Sequence, residues 1–237
     1  MSRFQLNPRQ GLQVNITHEE IVNVFHSLFY ASEQDHSGPP KLYNGVPIHK
    51  NPFDMFNYQQ ILFTQKPDYI IECGAFQGGS TLFFADTLSL IGKGKIVSVD
   101  ICERAERWFP QVEAHERTIL IPGSSVAPDI VSQVKNVVKD GKSFFVILDS
   151  LHTQAHVLAE MESYGPLLTK GNYMIVEDSN LNGHPLPPEW HTQTMREGGP
   201  FEAVQEYMKK YSDFQIDKDM ENRFLFSYAP SGYLVKQ

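Results

Sequence analysis

Glu72-Cys73-Gly74-Ala75-Phe76-Gln77-Gly78-Gly79-Ser80 follows the apolar run Tyr69-Ile70-Ile71 and precedes Thr81-Leu82-Phe83-Phe84-Ala85. The order is strand, tight glycine turn, helix, which opens an α/β nucleotide-binding sheet. Glycines at such a turn let the backbone approach a ligand closely, and the helix that follows offers free N–H groups at its N-terminus. The spacing Glu-x-Gly-x-x-x-Gly-x-Ser puts Phe76 where a dinucleotide fingerprint has glycine, so a bound pyrophosphate is disfavoured. An acidic residue at the strand end suits a ligand with a cationic amino-acid portion, such as S-adenosylmethionine.

Outward from this stretch, strands and helices alternate, as in a mostly parallel sheet with helices on both faces. The expected strands are Tyr69–Glu72, Lys95–Asp100, Thr118–Ile121, Phe144–Asp149 and Tyr173–Asp178. Gly92-Lys93-Gly94 closes the first helix as a C-cap. Later helices run through Ile130, Val131, Val134 and Val138, and through Val157, Leu158 and Met161. Pro200 suits the first turn of the last helix, with Phe201, Val204, Tyr207 and Met208. Phe214–Ile216 and Arg223–Tyr228 read as a closing pair of strands.

Before the first strand, Thr17-His18-Glu19-Glu20 has capping-box spacing. It precedes the amphipathic stripe Ile21, Val24, Phe25, Leu28, Phe29. Residues 31–52, with Gly38-Pro39-Pro40, Pro47 and Pro52, read as an extended arm passing near the site. Asp54 is expected to cap a second helix carrying Met55, Phe56, Ile61 and Leu62. The aromatic residues Phe25, Phe29, Tyr30, Tyr43 and Phe53 line a substrate pocket or pack as core or subunit interface.

The 237 residues suffice for one large domain with decorations. A hydrophobic content of 41% and an aromatic content of 12% support a substantial core. The net charge of −8, with no basic run, excludes nucleic acid as main partner. Two cysteines, Cys73 and Cys102, make no disulfide framework. The N-terminus lacks the apolar core of a signal peptide, and no apolar run reaches the ~20 residues of a membrane span. A soluble, cytoplasmic enzyme of small molecules is expected.

In open α/β sheets ligands sit at the carboxyl ends of the strands. There the chain delivers Glu72 with Gly74, Ala75, Phe76, Gly78 and Ser80; Asp100, able to accept both hydroxyls of a ribose; and Ser124 and Ser125, suited to an adenine edge. The fourth strand ends in Asp149-Ser150-Leu151-His152 and the fifth in Glu177-Asp178-Ser179-Asn180. If those strands are neighbours, three carboxylates converge, and a divalent cation relieves their repulsion. All-oxygen ligation favours Mg²⁺, with Mn²⁺ or Ca²⁺ as alternatives. His152 is a candidate general base, because imidazole takes a proton near neutral pH. His184, His191 and Trp190 fall in the long loop 179–200, a candidate substrate lid. His156 reads as structural.

The set Glu72–Ser80, Asp100, Gly123–Ser125, Asp149 and Glu177-Asp178 resembles class I S-adenosylmethionine-dependent methyltransferases. Val146-Ile147-Leu148-Asp149-Ser150-Leu151-His152, Val176-Glu177-Asp178-Ser179-Asn180 and Asn182-Gly183-His184-Pro185 resemble the cephalosporin hydroxylase/rhamnosyl O-methyltransferase family from about residue 50 onward. A more distant similarity is to catechol O-methyltransferase, whose catalytic lysine falls at His152. The resemblance implies a Rossmann-like methyltransferase domain at 53–237 with a mostly parallel seven-stranded sheet. Residues 1–52 then form an N-terminal helix and arm, serving as lid or interface. It also implies metal-dependent methyl transfer to a small-molecule hydroxyl (sugar, catechol or natural product), in a homo-oligomer. Asp149, Glu177 and Asp178 would hold the metal, Asp149 would also border the cofactor, and His152, with His184 in reserve, would take the proton. Two rival readings are a non-haem iron hydroxylase using histidines 152, 184 and 191, and a non-catalytic cofactor-binding subunit.

Overall fold

The computed structural model describes residues 16–34, 40–101, 110–185 and 196–237. Cys102, Trp190 and His191 lie outside the described residues, as does much of the expected lid. Helix α1 (His18–Gln34) leads to a small hairpin, β1 (Leu42–Tyr43) and β2 (Val46–Pro47), and then to α2 (Pro52–Gln65). Next come β3 (Tyr69–Cys73), α3 (Gly79–Ile91), β4 (Lys95–Asp100), α4 (Pro110–Glu113), β5 (Thr118–Pro122) and α5 (Pro128–Val137). The second half holds β6 (Phe144–Leu148), α6 (Gln154–Tyr164), β7 (Tyr173–Val176), α7 (Asn180–Gly183) and α8 (Pro200–Lys210). It closes with β8 (Phe214–Ile216), α9 (Lys218–Glu221) and β9 (Tyr233–Lys236).

The main sheet has seven strands in the order β5-β4-β3-β6-β7-β9-β8. β3 to β7 are parallel, and β9 runs antiparallel to both β7 and β8. From β3 the chain fills one side of the sheet, then crosses back to place β6 on the other. The strand order therefore reverses between β3 and β6, where their carboxyl ends open a crevice.

Alternation along each strand splits the core between the two faces. Ile71, Val97, Val146, Met174 and Leu234 pack with α5, α6 and α8 residues on one face. Ile70, Ile96, Phe145, Ile147 and Ile175 pack with Tyr58, Leu62, Phe84 and Leu88 on the other. β6 is buried throughout, as a central parallel strand must be.

Several local expectations hold. Thr17 and Glu20 exchange capping hydrogen bonds. Gly92 ends α3 with a φ of 80° and donates to the Leu88 carbonyl. Three expectations are corrected. Arg223–Tyr228 is not a strand; the closing strand is β9, after the Pro230-Ser231-Gly232 turn. The aromatic residues of 223–228 instead cover α1 and α2, Phe226 lying 4.9 Å from Phe25 and Phe224 stacking on Phe53 at 5.9 Å. On α1 Ile21, Val24 and Leu28 face outward and Phe25 is only partly covered, by Phe29, Phe53 and Phe226, while Val22 and His26 are buried. His26 turns inward because its Nε2 meets the Asn180 amide at 2.9 Å. Finally, Asn51 caps α2, its Oδ1 accepting from the Phe53 N–H. Asp54 is buried and accepts from Asn51, Ser227, the Tyr228 N–H and Tyr233, tying α2 to the C-terminal segment.

Candidate active site

The glycine turn brings β3 and β6 into contact. Gly74 has a φ of 86°, and a Cβ there would lie 1.9 Å from the Asp149 carbonyl oxygen, so only glycine fits. The Gly74 N–H donates to Val99, and the Asp149 N–H donates to Cys73, both at 2.8 Å. Phe76 also takes a positive φ, of 49°, and its N–H donates to Asp100 Oδ2 at 2.7 Å. Gly78 caps α3, and Ala75 is buried in a small apolar cluster beside it.

Glu72 corrects an expectation. It is fully buried beneath the turn, accepting from Ser80 and Thr81 at 2.5 Å and from Ser98 at 2.7 Å. Burial raises its pKa, and those hydroxyls oppose the rise. Glu72 and Ser80 thus brace the turn from below, and neither they nor Ala75 and Gly78 reach the cavity wall.

That cavity has a volume of about 620 Å³, within the usual range for small-molecule sites. Gly74, Phe76, Asp100, Ser124 and Ser125 line one part, with His49 against Phe76 and His156 beside Ser125, and Asp149, His152 and Asp178 line another. Ser125 donates to Glu160, which also accepts from Ser150 at 2.6 Å. Glu160, fully buried on α6, thereby anchors two serines of the wall. The sequence reading missed it, because a glutamate inside an amphipathic helix carries no local mark.

The acidic part gathers four chain segments. Among the described residues, Asp149, His152 and Asp178 form a cluster whose ligand atoms all lie within 4.8 Å of one another. His152 Nε2 stands 3.2 Å from Asp149 Oδ1 and 3.2 Å from Asp178 Oδ2. Asp178 sits in a left-handed turn, φ 53°, just beyond the end of β7. Glu177 is placed differently from the expected third ligand. Its Oε1 accepts from Lys50 at 2.9 Å and from the Tyr58 hydroxyl at 2.8 Å. Lys50 also reaches Asp149 Oδ2 at 2.5 Å. Of the expected arm 31–52, residues 31–34 belong to α1, and near its other end it delivers to the site a buried lysine that the sequence did not single out.

These charges set one another's protonation. Burial would lower the Lys50 pKa, but Asp149 and Glu177 outweigh it and raise it. Burial would raise Asp149, yet Lys50 and His152 hold it below the ordinary carboxylate value. Burial pushes Glu177 up to about 8 against the pull of Lys50, and burial likewise raises Asp178 against His152. For His152, burial acts downward, but Asp178 and Asp149 prevail and lift it to about 9. In this arrangement His152 pairs with both aspartates.

His184 is not at this cavity. It borders a separate one of about 280 Å³ near α1, its ring 5.0 Å from that of His26. The cluster therefore contains a single imidazole among the described residues, which does not meet the two-histidine need of the hydroxylase reading. No helix among the described residues is long and apolar enough to cross a membrane.

Residues 40–237 match the family described as Rhamnosyl O-methyltransferase/CmcI. A rhamnosyl O-methyltransferase of Mycobacterium leprae is 39% identical over 197 residues, covering 81% of this chain and 82% of that protein. One from Mycobacterium bovis is 37% identical over 198 residues, covering 82% and 77%. A solved CmcI structure with Mg and SAM shares the fold at a TM-score of 0.61, with 21% identity over 83% of this chain and 76% of that one. An O-methyltransferase from Bacillus cereus in complex with SAH does so at 0.53, with 18% identity over 87% and 84%. The chain thus belongs to the rhamnosyl O-methyltransferase/CmcI family and is an S-adenosylmethionine-dependent O-methyltransferase.

Proposed function

We propose that this chain methylates a hydroxyl of a sugar-bearing small molecule, with a divalent cation, Mg²⁺ first, seated on Asp149 and Asp178. The observation that carries this reading is the Asp149–His152–Asp178 cluster on the wall of a cofactor-sized cavity. Its donors fit a hard cation: two carboxylates within reach of one another, a combination that is costly without positive charge nearby. The relatives are named for O-methylation of a rhamnosyl unit, which supports a sugar hydroxyl as the acceptor.

The chain's own residues then divide the work. Asp100 stands at the end of β4 where a ribose would present its hydroxyls, and it keeps the Phe76 backbone in place. Ser124 and Ser125 offer small polar groups at the nucleoside end, with Ser125 held by Glu160. Gly74 lies on the cavity wall, so a ligand there meets backbone and no side chain. Asp149 and Asp178 hold the charge that faces the acceptor, and His152 keeps the two carboxylates together when nothing else does. A bound divalent cation would supply Lewis acidity toward an acceptor hydroxyl, lowering its pKa.

Asp149→Asn tests the reading, since it removes one charge and keeps the shape. Methyl transfer from labelled S-adenosylmethionine to a rhamnoside should fall by roughly 10³-fold, the scale of a lost charge-stabilising group. Calorimetric affinity for S-adenosylhomocysteine should stay within about threefold of wild type, well under the 1.4 kcal/mol of a tenfold change. Normal turnover by Asp149→Asn, or wild-type turnover unaffected by EDTA, would show that no cation acts there.

A further inference from the structure

Lys50 lies in the short arm between β2 and α2, outside every strand end where ligands are expected. Its side chain is 4% exposed and bonds two carboxylates that belong to different strands, Asp149 after β6 and Glu177 after β7. The arm is held on both sides. Upstream, the Pro47 carbonyl packs so close to Gly79 that a Cβ there would stand 2.2 Å away. His49 sets its ring edge-on to Phe76 at 5.3 Å. Downstream, Asn51 caps α2, and Tyr58 of that helix donates to the same Glu177 oxygen that Lys50 holds. A lysine fixed this firmly is not a swinging side chain seeking a chance partner.

We infer that Lys50 is the resident counter-cation of the acidic cluster, a positioning residue that lets three neighbouring carboxylates fold together before any divalent ion arrives. Asp149 gives Lys50 its Oδ2 and keeps Oδ1 toward His152 and Asp178, so the lysine also decides which oxygen faces the cavity. Glu177 is held by Lys50 and Tyr58, which makes it a partner of the lysine before it is a ligand of anything else. The divalent part of this inference rests on the function proposed above, whereas the lysine–glutamate part does not.

The test is a double-variant cycle read by thermal melting, with no turnover measurement. In EDTA, Lys50→Met should lower Tm by roughly 10 °C, because removing one partner leaves buried carboxylates uncompensated. Adding Glu177→Gln to Lys50→Met should restore at least half of that loss, since the surplus charge goes with it. Saturating Mn²⁺ should raise the Tm of Lys50→Met by more than it raises that of wild type, as the ion replaces the missing charge. Should Lys50→Met alone yield no folded protein, recovery of folded Lys50→Met/Glu177→Gln is the supporting result. Melting of Lys50→Met with wild type in EDTA, or a double variant no more stable than the single one, would overturn the inference. Equal, non-zero Mn²⁺ shifts in Lys50→Met and wild type, with the EDTA cycle as expected, would overturn only its divalent part, whereas no Mn²⁺ shift in either protein would overturn the metal reading as well.

Discussion

The two ends of the cavity are built on different principles. Around the glycine turn, polar groups are satisfied by close neighbours: Glu72 by Ser80, Thr81 and Ser98, and the Phe76 N–H by Asp100. What remains on that wall is glycine backbone, Ser124 and Ser125, and the Phe76 ring. At the acidic end, Asp149, Glu177 and Asp178 meet Lys50 and His152, charge against charge, from three separate segments. The first end is set by backbone geometry and should be sensitive to added volume. The second is set by charge balance and should be sensitive to altered charge.

The position where both ends touch offers the harshest test. A methyl group at Gly74 would collide with the Asp149 carbonyl 1.9 Å away, at a φ of 86° that disfavours any side chain. Gly74→Ala should therefore cost more than about 4 kcal/mol, among the largest single-residue effects, and urea unfolding or failure to obtain folded protein measures it. Any protein that does fold should lose S-adenosylhomocysteine and Mn²⁺ binding together. Normal binding of either by Gly74→Ala would mean that the two ends are not joined through this contact.

A milder substitution separates them. Asp100→Asn keeps an oxygen for the Phe76 N–H but removes the charge from the wall. Affinity for S-adenosylhomocysteine should fall about 10-fold to 100-fold, the worth of a charge-assisted hydrogen bond, and calorimetry reads it directly. Mn²⁺ affinity should not change. A matching loss of Mn²⁺ affinity would break the division between the ends.

The same contrast explains what the sequence revealed. The glycine turn, the strand ends and the positions of Asp100 and Asp149 were readable because each is a local pattern: an apolar run stopping at a charged or glycine residue. Glu72 was readable in place but not in role. Whether a carboxylate at a strand end turns toward a ligand or beneath its own turn depends on Thr81 and Ser98, and Ser98 belongs to the next strand. Lys50 carried no signal at all, since a lysine in a polar arm looks solvated until β6 and β7 place two carboxylates over it. Arg223–Tyr228 misled because aromatic residues that cover other helices have the same composition as a strand. The stripe on α1 misled because periodicity identifies an apolar face without saying which face is covered.

The smallest expected effect concerns His152, and it probes the acidic end without any ligand. Its pKa in the folded, ion-free protein is about 9, above the value near 6.5 of an unfolded chain. The folded state therefore binds the proton more tightly, and the ion pairs with Asp178 and Asp149 stabilise it fully below pH 6.5. As pH rises from 6.5 through 9 that contribution disappears. Glu177, raised to about 8, adds a slope of the same sign, but one shared by wild type and a His152 variant. The difference between wild type and His152→Asn is thus the informative quantity. In EDTA, melting curves should show wild type a few degrees more stable at pH 6, with the gap closing by about pH 9.5. A gap that stays constant over this range would mean that His152 holds its place by packing and not by charge, and the acidic end would then obey the same rules as the glycine turn.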